Sequence, residues 1–150
     1  MTTEQKRASL VVVLCPDTGE PLSNSRRGEP DQVGVIGGKP EGSETALECA
    51  MREFYEETGV QLKDAPVLIM EGVDSFNFFN SVYLVISKRD IVAVQEAYKG
   101  ITKEVEKDIY VSYNSWIKLL NGPFGQFNAQ LLCVLMNLFS KEMMLKTPDL

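Results

Sequence analysis

Histidine is absent from the 150 residues, and that gap removes a large part of enzyme chemistry. Ser-His-Asp and Cys-His nucleophilic schemes need an imidazole base, and His-ligated zinc sites need an imidazole donor. Cysteine is scarce: Cys15, Cys49 and Cys133 are odd in number, widely spaced and form no C-x-x-C. They read as buried or neutral reduced thiols of a cytoplasmic protein, not as a disulfide frame or a reactive centre. Long apolar runs are also missing. The opening MTTEQKR leads into an apolar run of only six residues, Leu10–Cys15, too short for a signal-peptide core or a membrane span. Nor is there an excess of basic residues. With 15 Lys and Arg against 21 Asp and Glu the net charge is −6. Such a surface does not attract polyanions broadly, so neither general nucleic-acid binding nor trimming of RNA ends is expected.

What is present is a chain that is 44% hydrophobic, with no internal repeat, low-complexity tract or long linker. One domain spanning residues 1–150 is expected. Ser9–Cys15 is β-branched and reads as a buried strand, and Pro16-Asp17-Thr18-Gly19 as a turn. Glu20–Ser25, Val33–Ile36, Pro66–Met70, Ser81–Ser87 and Ile109–Tyr113 read as further strands. Arg26–Asp31 and Ile91–Asp108 read as loops, and Asp74–Asn80 as an aromatic hairpin bend or pocket wall. Asn114–Leu120 suits a short helix stopped by Asn121-Gly122-Pro123, and a longer amphipathic helix follows Asn128. Its methionine-containing stripe reads as core. Mixed strands with two main helices make an α/β sandwich.

The segment that carries chemistry lies between Gly37 and Val60. Thr45 and Glu48 fit a capping box that starts a helix, and Gly59 suits its end. At about 100° per residue, Leu47, Met51, Phe54 and Thr58 form one buried stripe flanked by Ala50. Glu53, Glu56 and Glu57 share another face at i, i+3 and i+4. Like charges so spaced cost a helix a few tenths of a kcal/mol per pair. A hard cation between them reverses that sign, and carboxylate oxygens suit Mg²⁺, Mn²⁺ or Ca²⁺. A solvated acidic face is the ordinary alternative. Arg52, placed to orient a carboxylate by a bidentate contact, and the flanking glycines favour the cation site.

Gly38, Glu44, Arg52, Glu53, Phe54, Glu56, Glu57, Gly59 and Val60 fill all nine defined positions of G-x5-E-x7-R-E-U-x-E-E-x-G-U, where U is apolar. The chain therefore resembles the Nudix family. The resemblance sharpens the fold to an α/β/α sandwich around a mixed β-sheet. It implies hydrolysis of a nucleoside diphosphate linked to another group, with Mg²⁺, or Mn²⁺ in its place, as cofactor. Glu53, Glu56, Glu57 and the Gly38 carbonyl would be metal ligands, with Arg52 holding a carboxylate in place. Glu44 would support the site. The general base is either Glu53 or an acid on the late loop, Glu104 or Glu106. A small nucleotide is the implied partner, with no membrane; the oligomeric state stays open, a homodimer included.

Flanking residues suggest the substrate. Gly37-Gly38-Lys39 resembles the entry of MutT-type members, so Gly38 and Lys39 are expected near the phosphates. Arg26 and Arg27 stand where related chains contact phosphate or base, or else form an exposed solubilising loop. Asn128 matches loosely an asparagine that reads a purine edge in MutT-type members. An N-cap for the last helix explains it as well, and is the reading preferred here. Phe76, with Phe78, Phe79 and Tyr98, has the rings to stack a base, though core packing is the more common use of each. The favoured reaction is hydrolysis of a (deoxy)nucleoside triphosphate to a monophosphate and pyrophosphate. ADP-ribose or a nucleotide sugar is the alternative substrate, and a non-hydrolytic nucleotide-binding regulatory module the alternative class.

Overall fold

Alternation between two buried faces decides the architecture. In the computed structural model, which describes residues 6–26, 29–62, 66–85 and 109–139, Val11 and Val13 pack on one side of a sheet and Val12 on the other. A strand buried on both faces must lie between two layers, and it does.

The strands are β1 (Lys6–Val12), β2 (Leu22–Arg26), β3 (Glu29–Gly38), β4 (Val67–Val73), β5 (Phe78–Leu84) and β6 (Ile109–Tyr113). Among the described residues they form one six-stranded sheet in the order β4-β5-β1-β3-β2-β6. β1 and β5 are parallel, and the other neighbouring pairs antiparallel. The sheet is therefore mixed. Helix α1 (Ala46–Thr58) covers one face through Ala50 and Phe54 against Val11, Val13, Leu22, Ile36, Tyr83 and Val111. Helices α2 (Trp116–Leu120) and α3 (Gly125–Leu138) cover the other with Trp116, Leu119, Phe127, Leu131 and Leu135. The result is an α/β/α sandwich. No described helix is long and apolar enough to cross a membrane.

Local chemistry explains the ends of α1. Thr45 Oγ1 accepts from the Glu48 N–H and Glu48 Oε1 accepts from the Thr45 N–H, both at 3.1 Å. This is the reciprocal cap expected from the sequence. Gly59 closes the helix with φ 73°, a left-handed turn that glycine adopts without steric cost. Phe54 is fully buried. Burial of such a ring stabilises by roughly 1.5–3 kcal/mol, which outweighs the few tenths per pair that the clustered glutamates cost.

Several sequence expectations need correction. Arg26 and residues 29–31 are not loop: β2 runs through Arg26 and β3 starts at Glu29, with Arg26 paired to Glu29, while residues 27 and 28 lie outside the described residues. β3 is correspondingly longer than Val33–Ile36 and carries Gly37 and Gly38 inside it. β1 starts at Lys6 and ends at Val12, β4 extends to Val73, and β5 begins at Phe78, inside the expected bend. α3 begins at Gly125, so Asn128 is in its first turn and is not its cap. Cys133 is exposed, not buried. The expected loop at 91–108 lies outside the described residues.

Candidate active site

The acidic helix face is organised by one guanidinium. Arg52 donates from Nε to Glu44 Oε2 at 2.8 Å and from Nη2 to Glu44 Oε1 at 3.0 Å. Its Nη1 reaches Glu53 Oε1 and Glu56 Oε2, each at 3.0 Å, and Nη2 also meets the Lys39 carbonyl at 3.0 Å. The fork thus ties the loop before α1 to its second and third turns. The Arg52 guanidinium holds the Glu44 carboxyl below its ordinary value, against the upward push of burial. The Glu44 contact in turn raises the pKa of Arg52, so it stays protonated.

Glu57 is placed differently from the sequence expectation. It does not share the solvent face of Glu53 and Glu56 but is buried, 4% exposed, against the sheet. Asn24 Nδ2 donates to its Oε1 at 2.6 Å, and the Gly37 N–H donates to its Oε2 at 3.0 Å. Gly38 ends β3 directly beneath Glu53, and a Cβ there would overlap the Glu53 carboxylate. Only glycine permits that approach. The Gly38 carbonyl accepts from the Cys49 thiol at 3.4 Å, and burial pushes that thiol's pKa up, keeping it a donor.

Hard oxygen donors of this kind fit Mg²⁺ or Mn²⁺: Glu53, Glu56 and Glu57 with the Gly38 carbonyl, completed by water and substrate phosphate oxygens. Among the described residues no three acidic or thiol side chains converge tightly enough to cage a cation unaided. Glu53 and Glu56 are drawn to Arg52, and Glu57 to Asn24.

Beside the carboxylates lies a cavity of about 280 Å³, reaching from Gly37, Gly38 and Lys39 to the first turn of α3. Asn24, Asp74, Asn80 and Asn128 give it polar walls, and Phe78, Phe124 and Phe127 give it aromatic ones. The Lys39 ammonium stands 4.8 Å from the centre of the Phe78 ring, a cation–π distance. Asp74 shapes the turn between β4 and β5: Oδ1 accepts from the Phe76 and Phe78 N–H groups at 2.8 and 3.0 Å, and Oδ2 from Asn80 Nδ2 at 3.2 Å. Asn128 is 2% exposed and donates to the Leu119 carbonyl at 3.2 Å, which leaves its other amide atom to the cavity wall. Phe76 is half exposed; it packs edge-on against Phe124, with ring centres 5.5 Å apart.

Of the residues picked from the sequence, Gly38, Lys39, Arg52, Glu53, Glu56 and Glu57 gather at one end of the sheet, and Asn128 borders the adjoining cavity. Phe76 reaches that cavity only through Phe124. Arg26 closes β2, and its side chain, with Arg27, Tyr98, Glu104 and Glu106, lies outside the described residues. Asp74 and Asn80 bound the segment read from the sequence as a hairpin bend or pocket wall, and both line the cavity. Asn24 and Phe124 were not foreseen as site residues; they reach the site by tertiary packing.

The NUDIX domain family matches residues 5–128 of the chain. Among solved structures, a mutT/nudix family protein from Listeria innocua aligns over 97% of this chain and 100% of its own, with TM-score 0.60 and 16% identity. A MutT structure from work on Aliivibrio salmonicida and Vibrio cholerae aligns over 95% and 98%, with TM-score 0.57 and 14% identity. A Nudix hydrolase family structure from Chromobacterium violaceum, at 22% identity and TM-score 0.48, shares 60% of this chain and 56% of its own. At 14% and 16% identity the first two likenesses speak for the fold alone. A comparison with curated proteins gave no match.

Proposed function

The chain belongs to the Nudix family and is a Nudix pyrophosphohydrolase, and we propose that it hydrolyses a (deoxy)nucleoside triphosphate to the monophosphate and pyrophosphate, with Mg²⁺ or Mn²⁺. The observation that carries this reading is continuity. The cavity walled by amides and aromatic rings opens onto Gly38 and Lys39, against which the glutamates of α1 are arranged. Amides suit the edges of a nucleobase and rings suit its faces, while the carboxylate end takes the phosphates.

Glu53, Glu56, Glu57 and the Gly38 carbonyl would hold the cation. A bound divalent ion supplies charge to the diphosphate oxygens and acidifies a water. Arg52 fixes the directions of Glu53 and Glu56 from a single nitrogen. Lys39, at the cavity mouth, meets the phosphates. Glu53 is the described carboxylate best placed to take the proton of the attacking water; Glu104 and Glu106 are the alternatives on the late loop. Asn128 reads the base edge, since its cap role is ruled out by the helix start at Gly125. Three free thiols accord with a cytoplasmic setting.

The test is a panel of nucleoside triphosphates, ADP-ribose, nucleotide sugars and dinucleoside polyphosphates with Mg²⁺ or Mn²⁺ in ¹⁸O-labelled water. Pyrophosphate release from a triphosphate, with label in one product, supports the proposal. Turnover confined to ADP-ribose or a nucleotide sugar, releasing a sugar phosphate, replaces the substrate. Nucleotide binding without turnover across the panel points to a regulatory module.

A further inference from the structure

We infer that Asn24 is a positioning residue, holding the Glu57 carboxylate in the direction from which it ligates the cation. The inference rests on the metal reading above. Asn24 lies in β2, opposite Gly34 of β3 and Val111 of β6. Its Nδ2 meets Glu57 Oε1 at 2.6 Å, across 33 positions of sequence. The second oxygen is held by the Gly37 N–H at 3.0 Å. Donors from two strands therefore fix both oxygens of a carboxylate carried by a helix, which removes the rotation about its last torsion.

The chemistry of the donor matters. A neutral amide sets a carboxylate's direction without cancelling its charge, as a cation ligand requires. Each carboxylate oxygen has two lone-pair sites, so an N–H on one still leaves room for a cation on the other. Arg52 does the opposite for Glu53 and Glu56, supplying positive charge as well as direction. Asn24 also lines the cavity, so the residue that orients Glu57 borders the space where substrate enters.

The experiment is Mn²⁺ binding to the substrate-free protein, followed by electron paramagnetic resonance, for wild type, Asn24→Leu, Asn24→Ser and Glu57→Gln. Leucine matches asparagine in size and lacks the donor; serine is smaller, cannot overpack and is too short to reach. Removing an outer partner of a metal ligand weakens metal affinity by about tenfold or more. The expected result is that loss for both Asn24 variants, and a larger one for Glu57→Gln. Wild-type affinity in a folded Asn24 variant, with Glu57→Gln impaired, overturns this inference and leaves the metal reading standing. Failure of the wild type itself to bind Mn²⁺ overturns the metal reading, and this inference falls with it.

Discussion

Arg52 and Glu44 meet through two parallel hydrogen bonds, Nε to Oε2 at 2.8 Å and Nη2 to Oε1 at 3.0 Å. That geometry needs a planar fork with several donors. The same guanidinium must still reach Glu53 and Glu56, so one side chain sets the loop before α1 and two of its carboxylates together.

Arg52→Lys keeps the charge and loses the fork. A single ammonium serves one partner at a time, so both stability and turnover fall. Hydrogen bonds to charged groups contribute about 1.5–3 kcal/mol each when well formed; a loss of about 1–2 kcal/mol is expected, because lysine recovers part. Chemical denaturation checks the first, and kcat at saturating metal the second.

The same contact makes stability depend on pH. The Glu44 carboxyl is held below its ordinary value of 4.5, first by its hydrogen bond to Arg52. A lowered folded pKa contributes stability that is complete above the ordinary value and is lost as pH falls through the folded one. Glu44→Gln should therefore be less stable than wild type at pH 6 to 7, with the difference shrinking once pH drops below about 4.5. Thermal midpoints of both proteins between pH 3 and 7 measure this. A gap that widens toward acid contradicts it.

Gly38→Ala tests the close approach of β3 to α1. The new methyl group overlaps the Glu53 carboxylate, which must swing aside, while the strand itself tolerates alanine. Turnover should drop by about tenfold or more, as when the surroundings of a metal ligand are disturbed. The thermal midpoint should change little. Retained turnover would mean that the position of Glu53 against Gly38 is immaterial.

How far the sequence foretold this arrangement depended on the reach of each interaction. Thr45 and Glu48 are three residues apart, so their reciprocal cap was legible. Gly59 was legible for the same reason, and Ile109–Tyr113 was recognised as a strand over its full length. The helical stripe was legible in part, with Phe54, Thr58 and the flanking Ala50 buried as expected. Cys49, Ala50, Phe54, Glu57 and Thr58 are buried, whereas Leu47 and Met51 are only partly so. Periodicity gave Glu57 to the outer face because it counts only apolar residues; the partner that makes its burial tolerable, Asn24, is 33 positions away. Asn128 misled through a true local preference. Asparagine favours N-caps, yet its amide is bound to the Leu119 carbonyl of the neighbouring helix, and α3 starts three residues earlier with Phe124 at the cap and no side-chain bond. The strand ends at Arg26 and Glu29 read as loop because charged residues and a proline hid strand pairing that only the neighbouring strand supplies.

The most direct test of the account is turnover by Glu56→Gln. Glu56 is the cleanest of the three glutamates to change, because its contact with Arg52 Nη1 needs only an oxygen acceptor, which glutamine retains. Glu57→Gln instead sets an amide N–H against one of two N–H donors, Asn24 or Gly37. At saturating Mg²⁺, on whichever substrate the wild type turns over fastest, Glu56→Gln should lose at least about a hundredfold in kcat with an unchanged thermal midpoint. Turnover close to that of the wild type would contradict the claim that the glutamates of α1 hold the cation.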